Sequence, residues 1–358
     1  MRGVPVLDPI AMPLPQAVPE PIPQPVLRPA PRPVPRPAVR ISRSVWTWAK
    51  PIGGAGILIF LLWRLGTGPF LQSVRMINGW AVASALALGA LTMVCCAWRW
   101  RLVARGLGVQ LPLGTAVAHC YRSVFLNATL PGGVLGDVHR AVRHGQDAGD
   151  VGRGVRAVVW ERSAGQVVQA AMAVVVLFAF PSPVRAYMPV AVGIAAVAAI
   201  AVVLLARVVP HNGLSRWAQA LRTSKADIRD GLLARGNWPG IVLASAVVVA
   251  GHLATFVIAA RTAGATAPLS RLVPLTLLAL LAMGLPLNVG GWGPREGVAA
   301  WAFGAAGLTV TQGVSTAVVY GALVLVSTLP GACVLLLPRI TRMVPTPAVA
   351  VRKGAVRG

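Results

Sequence analysis

The chain has 358 residues, of which 56% are hydrophobic and 12% charged, against roughly 25% charged in a soluble domain. Its formal net charge is +24 and its pI about 11.9, values that on a soluble protein would point to nucleic acid. The basic residues punctuate apolar segments instead, which excludes that reading and makes them topology signals and contacts to anionic lipid headgroups.

Residues 1–44 form a proline-rich, basic tail with runs such as PIPQPVLRPAPRPVPRPAVR. Proline fixes φ and removes backbone donors, so the tail is expected to be extended or disordered, on the cytoplasmic side. It has no continuous apolar core and is not a secretory signal peptide. Arg28, Arg32, Arg36, Arg40 and Arg43 would suit it as a tether to anionic lipid. Apolar blocks follow at about 51–65, 79–98, 157–180, 187–206, 239–260, 272–289 and 313–337, with less regular stretches at 111–136 and 297–310. A helix needs about 20 apolar residues to cross a bilayer, and lipid tolerates only helices or closed barrels because unpaired backbone groups are too costly. No long alternating pattern marks a barrel. The expected fold class is an all-α polytopic membrane protein with about seven spanning or near-spanning helices plus re-entrant hairpins. Its transmembrane domain should occupy 45–340, followed by a short basic tail at 341–358. Residues 207–238 are expected to be a cytoplasmic loop with a basic amphipathic helix around Leu214 to Leu233.

Orientation follows from Lys and Arg in the short loops. With the tail cytoplasmic and the first two blocks paired as a hairpin, Arg99, Arg101 and Arg105 return to the cytoplasm. The next polar loop, 138–156, carries Arg140, Arg143, Arg153 and Arg156 and belongs on the same side. Stretch 111–136 then begins and ends on one face, so it dips in and returns, with LPGG near its turn. This arrangement places 25 basic residues inside and 5 outside, with Arg122, Arg162 and Arg295 in membrane segments. The same parity makes 272–310 a hairpin from the opposite face, with GGWGPRE at its tip. Interrupted helices in corresponding positions of two halves mark an inverted repeat and its binding site.

Only nine residues are acidic. Asp8, Glu20, Asp147, Asp150, Asp227 and Asp230 lie in polar tails or loops, whereas Asp137, Glu161 and Glu296 lie in or beside apolar segments, each near an arginine. An ionisable group at bilayer depth costs roughly 2.5–3.5 kcal/mol on insertion scales and usually marks a pathway or site. His119, Arg122, Ser123 and Asn127 fall on one helical face, and Arg162, Gln166 and Gln169 on another; either could wall a hydrophilic groove or be satisfied internally. Gly132 with Gly136, and Gly293 with Gly297, are spaced for close helix packing, and a glycine turn before a helix also favours phosphate. Cys95, Cys96, Cys120 and Cys333 lack metal or redox spacing and read as small buried side chains. No catalytic, nucleotide-binding, metal or cofactor motif is present, so no enzyme activity and no cofactor are expected.

The phrases LPGGVLGDVHR, VVWERSAGQ and LPLNVGGWGPREG occur in that order and resemble the membrane region of the lysylphosphatidylglycerol synthase/flippase family, the multiple peptide resistance factors, and its stand-alone relatives. The resemblance runs over about 50–340. It implies a polytopic helical domain that moves an aminoacylated or otherwise modified lipid between leaflets. Motif by motif, it marks Pro131, Gly132, Gly133, Gly136, Asp137 and Arg140, then Glu161 and Arg162, then Pro286, Gly290, Gly291, Gly293, Arg295 and Glu296. Arg122 and Asn127 join them as candidate headgroup contacts from the polar face. Arg122, Arg140, Arg162 and Arg295 would meet phosphate, and the three acids would pair with them or with a cationic headgroup. The chain ends about 20 residues after its last apolar block, so the soluble lysyl-transfer domain of full-length members is not expected. The expected function is a flippase for an anionic, aminoacylated or polyprenyl-linked lipid in a bacterial inner membrane, with both termini cytoplasmic. The alternatives are a membrane-embedded transferase acting on a lipid-linked substrate, or an accessory subunit partnered by a separately encoded lipid-modifying enzyme. No nucleic-acid partner is expected, and homo-oligomerisation stays open.

Overall fold

The computed structural model describes residues 59, 63, 68–130, 133–208, 216–284 and 292–336. The expectations for the basic tails, for most of block 51–65, and for Pro131, Gly132, Pro286, Gly290 and Gly291 lie outside the described residues. Everything described belongs to one compact unit, Ser42–Gly358. It is helical throughout, with no strand among the described residues.

A short helix, α1 (Gly68–Arg75), leads to the long α2 (Gly79–Gly106). Asn78 caps α2, its side-chain oxygen accepting from the Ala81 N–H at 2.9 Å. Then come α3 (Leu113–Thr129), α4 (Leu135–Asp147) and the long α5 (Val151–Ala179), which Asp150 caps by accepting from the Arg153 N–H at 2.9 Å. Helix α6 (Met188–Val208) follows a single 3₁₀ turn, and α7 (Arg216–Ala226) runs on into a π-helical stretch, Asp227–Leu232. The chain continues through α8 (Trp238–Thr262), α9 (Leu269–Met283), α10 (Pro294–Ala305), α11 (Val310–Thr328) and α12 (Pro330–Leu336).

Five segments are long and apolar enough to cross a bilayer: α2, α5, α6, α8, and α11 with α12. The chain is therefore an all-α, multi-pass membrane protein. The expected seven blocks reduce to five among the described residues, because 272–289 yields the 15-residue α9 and 51–65 is mostly outside the description. Helix α6 is apolar on all sides and leaves Val190, Ile194, Val197, Ile200 and Leu204 exposed, as suits a helix in lipid rather than water.

Between the long helices, α3 and α4 pack as one hairpin and α9 and α10 as another. The LPGG phrase lies in the sequence between α3 and α4. At Gly136 the arms approach so closely that an added Cβ would sit 2.0 Å from the Ser123 carbonyl oxygen. The open end of that hairpin buries Leu111 and Ala141 in one cluster with Trp100 and Ala157. The second hairpin's open end buries Ala265, Leu272 and Phe303 together, and the Gln312 side chain donates to the Gly264 carbonyl at 3.3 Å. Each hairpin thus returns to the side it leaves. Helix lengths run 28, 17, 13, 29 in α2–α5 and 25, 15, 12, 19 in α8–α11, the same long–short–short–long order. With α6 as one further span between the sets, the second runs opposite in sense to the first.

Two local expectations are corrected. Stretch 138–156 is not a polar loop: α4 continues to Asp147 and α5 begins at Val151, so the loop shrinks to residues 148–150. The apolar half of α4 (Val138, Val142) alternates with basic residues, which broke up the apolar signal while keeping a helical period. Asp227 is not a solvated loop acid either. It is 6% exposed, forms an ion pair with Arg156 (Nε to Oδ2, 2.8 Å) and accepts from the Trp160 indole N–H at 3.1 Å, tying the π-helical stretch to α5.

Candidate functional site

A carboxylate one turn below the middle of α5 organises the site. Glu161 is 1% exposed and accepts from two arginines on different helices. Arg99 of α2 donates through Nε to Oε1 at 2.9 Å, and Arg140 of α4 donates through Nη2 to Oε2 at 2.9 Å. Arg99 also donates to the Ser245 hydroxyl of α8 at 3.0 Å, so one ion triad joins four helices. Arg140 donates to Cys120 Sγ at 3.1 Å and lies over the Trp100 ring, 4.5 Å from its centroid. Removing any one member of such a buried triad would leave the others as uncompensated charge.

Asp137 forms a second node in the first turn of α4. Its Oδ1 accepts from the Ser123 hydroxyl at 2.9 Å and from Arg162 Nη2 at 2.8 Å, and Oδ2 from Asn127 Nδ2 at 3.0 Å. Arg140 Nη2 stands 3.2 Å from the same carboxylate. Asn127 completes the turn by accepting from the Gly136 N–H at 2.8 Å. Arg162 differs from the other guanidiniums here: 43% of its side chain is exposed, and it pairs with Asp137.

The second hairpin supplies the opposite wall. Gly293 adopts φ 118°, which an L side chain rarely tolerates, and so starts α10 abruptly. Glu296 Oε2 accepts from the Gly293 N–H at 2.7 Å, and Oε1 takes the Arg295 guanidinium, with Nε at 2.8 Å. Arg295 lies between the rings of Trp292 and Tyr320, at 5.0 and 5.2 Å. Gly321 gives it room, since a Cβ there would meet Arg295 Nη2 at 2.4 Å. Behind it the Tyr320 hydroxyl is 3.0 Å from His252 Nδ1.

These walls enclose a cavity of about 310 Å³. Asn127, Gly133, Arg140, Glu161, Arg162 and Arg295 all reach it, from both hairpins and from α5. Asp137 and Glu296 sit behind them as partners of the lining arginines. Gly136 and Gly293 shape the hairpins instead of lining the cavity. Arg122 does not line it either: with His119 and Ser123 it faces a separate small cleft against α4. The polar face predicted on α3 is therefore split, Asn127 to the cavity and the rest to its neighbour.

Sequence reading missed Arg99. Its place beside Arg101 and Arg105 made it look like part of a cytoplasmic basic cluster, yet it is 4% exposed and paired with Glu161. Its position on the buried side of α2, with Trp100 and Val103, was the available signal. His252 and Tyr320, which also line the cavity, were missed as well, each standing in an apolar block with no charged neighbour to mark it. Gln166 and Gln169 line the cavity with Arg162, as their shared face predicts, and Gln169 Nε2 donates to the Leu280 carbonyl at 3.1 Å.

The family model described as the lysylphosphatidylglycerol synthase TM region matches residues 47–331. That span contains all three phrases and every helix described except the end of α12. No curated protein matches the chain.

Proposed function

The chain belongs to the lysylphosphatidylglycerol synthase transmembrane-region family, a family of membrane proteins tied to lipid modification or transport, and on that premise we propose that it is a lipid translocase. The reading rests on one observation: an arginine-lined cavity of about 310 Å³ set between two hairpins that come from opposite ends of the helix bundle. That volume is at the small end of ligand sites, suited to a headgroup while acyl chains stay in hydrocarbon. Four guanidiniums (Arg99, Arg140, Arg162, Arg295) face three carboxylates (Asp137, Glu161, Glu296), which leaves one positive charge for a phosphate to neutralise. Arg162 is the headgroup contact, because it lines the cavity and 43% of its side chain is exposed. Arg295, held between two rings, is its counterpart on the other wall.

Two hairpins of short helices set between the long helices would supply the moving parts that alternating access needs. The lipid handled would be a phospholipid or other lipid with an anionic group in its head, in the inner membrane of a bacterium. The test is leaflet exchange of headgroup-labelled lipids in vesicles carrying the purified protein. Faster exchange than in empty vesicles, dependent on headgroup and lost in Arg162→Ala, supports the reading. Rates equal to empty vesicles for every anionic and aminoacylated lipid tried would favour an accessory role beside a separate lipid-modifying enzyme.

A further inference from the structure

The cleft against α4, which shares only Arg140 with the main cavity, is lined by basic groups and by no acid. His119 and Arg122 of α3 form its floor, at 5% and 6% exposure, and His139 and Arg143 of α4 its half-buried rim. His119 and Arg122 are three apart and His139 and Arg143 four apart, so each arm of the hairpin contributes one adjacent pair. Arg122 Nε and His119 Nδ1 are buried with no hydrogen-bond partner among the described residues.

No carboxylate pairs with Arg122 or Arg143 among the described residues. Asp137, the nearest acid along the chain, is turned to Ser123, Asn127 and Arg162. Asp147, one turn beyond Arg143, is exposed and forms no ion pair. Two guanidiniums are permanently charged, and bringing them to one cleft without a counter-ion is unfavourable. A buried donor left unpaired adds roughly 1–3 kcal/mol to that cost. Such a site is complete only with an anion.

The surroundings say which anion. The cleft itself is small, about 10 Å³, room for one oxygen atom at its floor with the rest of the group held at the rim. Beside the basic pair, about 100° round α4, Val134, Leu135, Val138 and Val142 form an exposed apolar stripe. A phosphate in the cleft would therefore carry hydrocarbon along that stripe. We propose that the outer face of the first hairpin is a binding site for the phosphate of an anionic phospholipid, held by Arg122 and Arg143 and separate from the main cavity. A bound lipid would clamp α3 to α4 and so fix the hairpin that presents Arg140 and Asp137.

Native mass spectrometry of the detergent-solubilised protein tests this with phosphatidylglycerol, phosphatidylcholine and inorganic phosphate as probes. The expected result is saturable retention of phosphatidylglycerol over phosphatidylcholine, weakened on the order of tenfold in Arg143→Gln and further in the Arg122→Gln/Arg143→Gln double variant. Arg143→Lys, which keeps the charge at the rim, should recover most of the preference. The wild-type comparison needs no variant to fold, and repeating the series in the Arg162→Ala background, where the main-cavity headgroup contact is gone, makes the outcome independent of the translocase reading. Equal retention of both lipids by the wild type, or an unchanged preference in the folded double variant, overturns the site. Thermal protection by inorganic phosphate as strong as that by phosphatidylglycerol, with no preference between lipids, overturns the lipid assignment.

Discussion

Arg140 and Glu161, 21 residues apart, meet through Nη2 and Oε2 at 2.9 Å with 3% and 1% of their side chains exposed. The contact joins the returning arm of the first hairpin to the helix that follows it. Because Arg99 holds the other oxygen of the same carboxylate, the hairpin's position is set by one acid shared between two bases.

Removing that acid leaves two buried guanidiniums facing each other. Glu161→Ala should therefore destabilise the protein by roughly 3–5 kcal/mol, the cost of breaking a buried pair from one side. A thermal unfolding midpoint in detergent lower by several degrees is the expected outcome. Glu161→Gln keeps the shape but not the charge and should fall between. A midpoint unchanged in both would mean the triad does not hold the bundle together.

Arg162 should behave differently. It is half exposed, and Asp137 keeps Ser123, Asn127 and Arg140 when it is gone. Arg162→Ala should leave the unfolding midpoint within a few degrees of wild type. Headgroup-dependent leaflet exchange should drop about tenfold or more, the loss of one charge-assisted contact. Full exchange activity in this variant would remove Arg162 from the path.

Gly136 tests the hairpin itself. A methyl there would stand 2.0 Å from the Ser123 carbonyl oxygen, which is backbone and cannot turn aside. Gly136→Ala must push α4 off α3, at about 1–3 kcal/mol or more. It should also detach Asp137 from Ser123 and Asn127, so exchange activity and thermal midpoint should fall together. Gly149→Ala, in the turn after α4 with open space around its Cβ but φ +70°, should cost only about 1 kcal/mol.

The two hairpins open toward opposite faces, and labelling can check it. In a cysteine-free background, Ala148→Cys at the open end of the first hairpin and Thr311→Cys beside the open end of the second are both at exposed positions. A membrane-impermeant thiol reagent added to sealed vesicles should modify one and spare the other. Modification of both from the same side would rule out the pair of opposed re-entrant hairpins.

Much of the architecture was legible in the chain. Parity of the arginine-bearing loops required 111–136 and 272–310 to return to the side they left, and both are hairpins. Boundaries were less legible, because α4 interleaves Val138 and Val142 with His139, Arg140 and Arg143, a pattern that reads as a polar loop to any test of continuous hydrophobicity. The acids Asp137, Glu161 and Glu296 stood out because charge is rare in apolar segments, but their partners did not. Arg99 lies 62 residues from Glu161, and sequence spacing carries no trace of that meeting.

Composition and local pattern by themselves determined that this is a helical membrane protein with two hairpins of short helices and charge within its apolar bulk, since lipid leaves the backbone so few choices. Tertiary packing decided which arginine meets which acid, that Arg122 turns away from the cavity, and that Arg162 keeps a face open to it. The reason is physical: helix periodicity is written in neighbouring residues, whereas an ion pair across a bundle depends on how distant helices rotate and settle against one another.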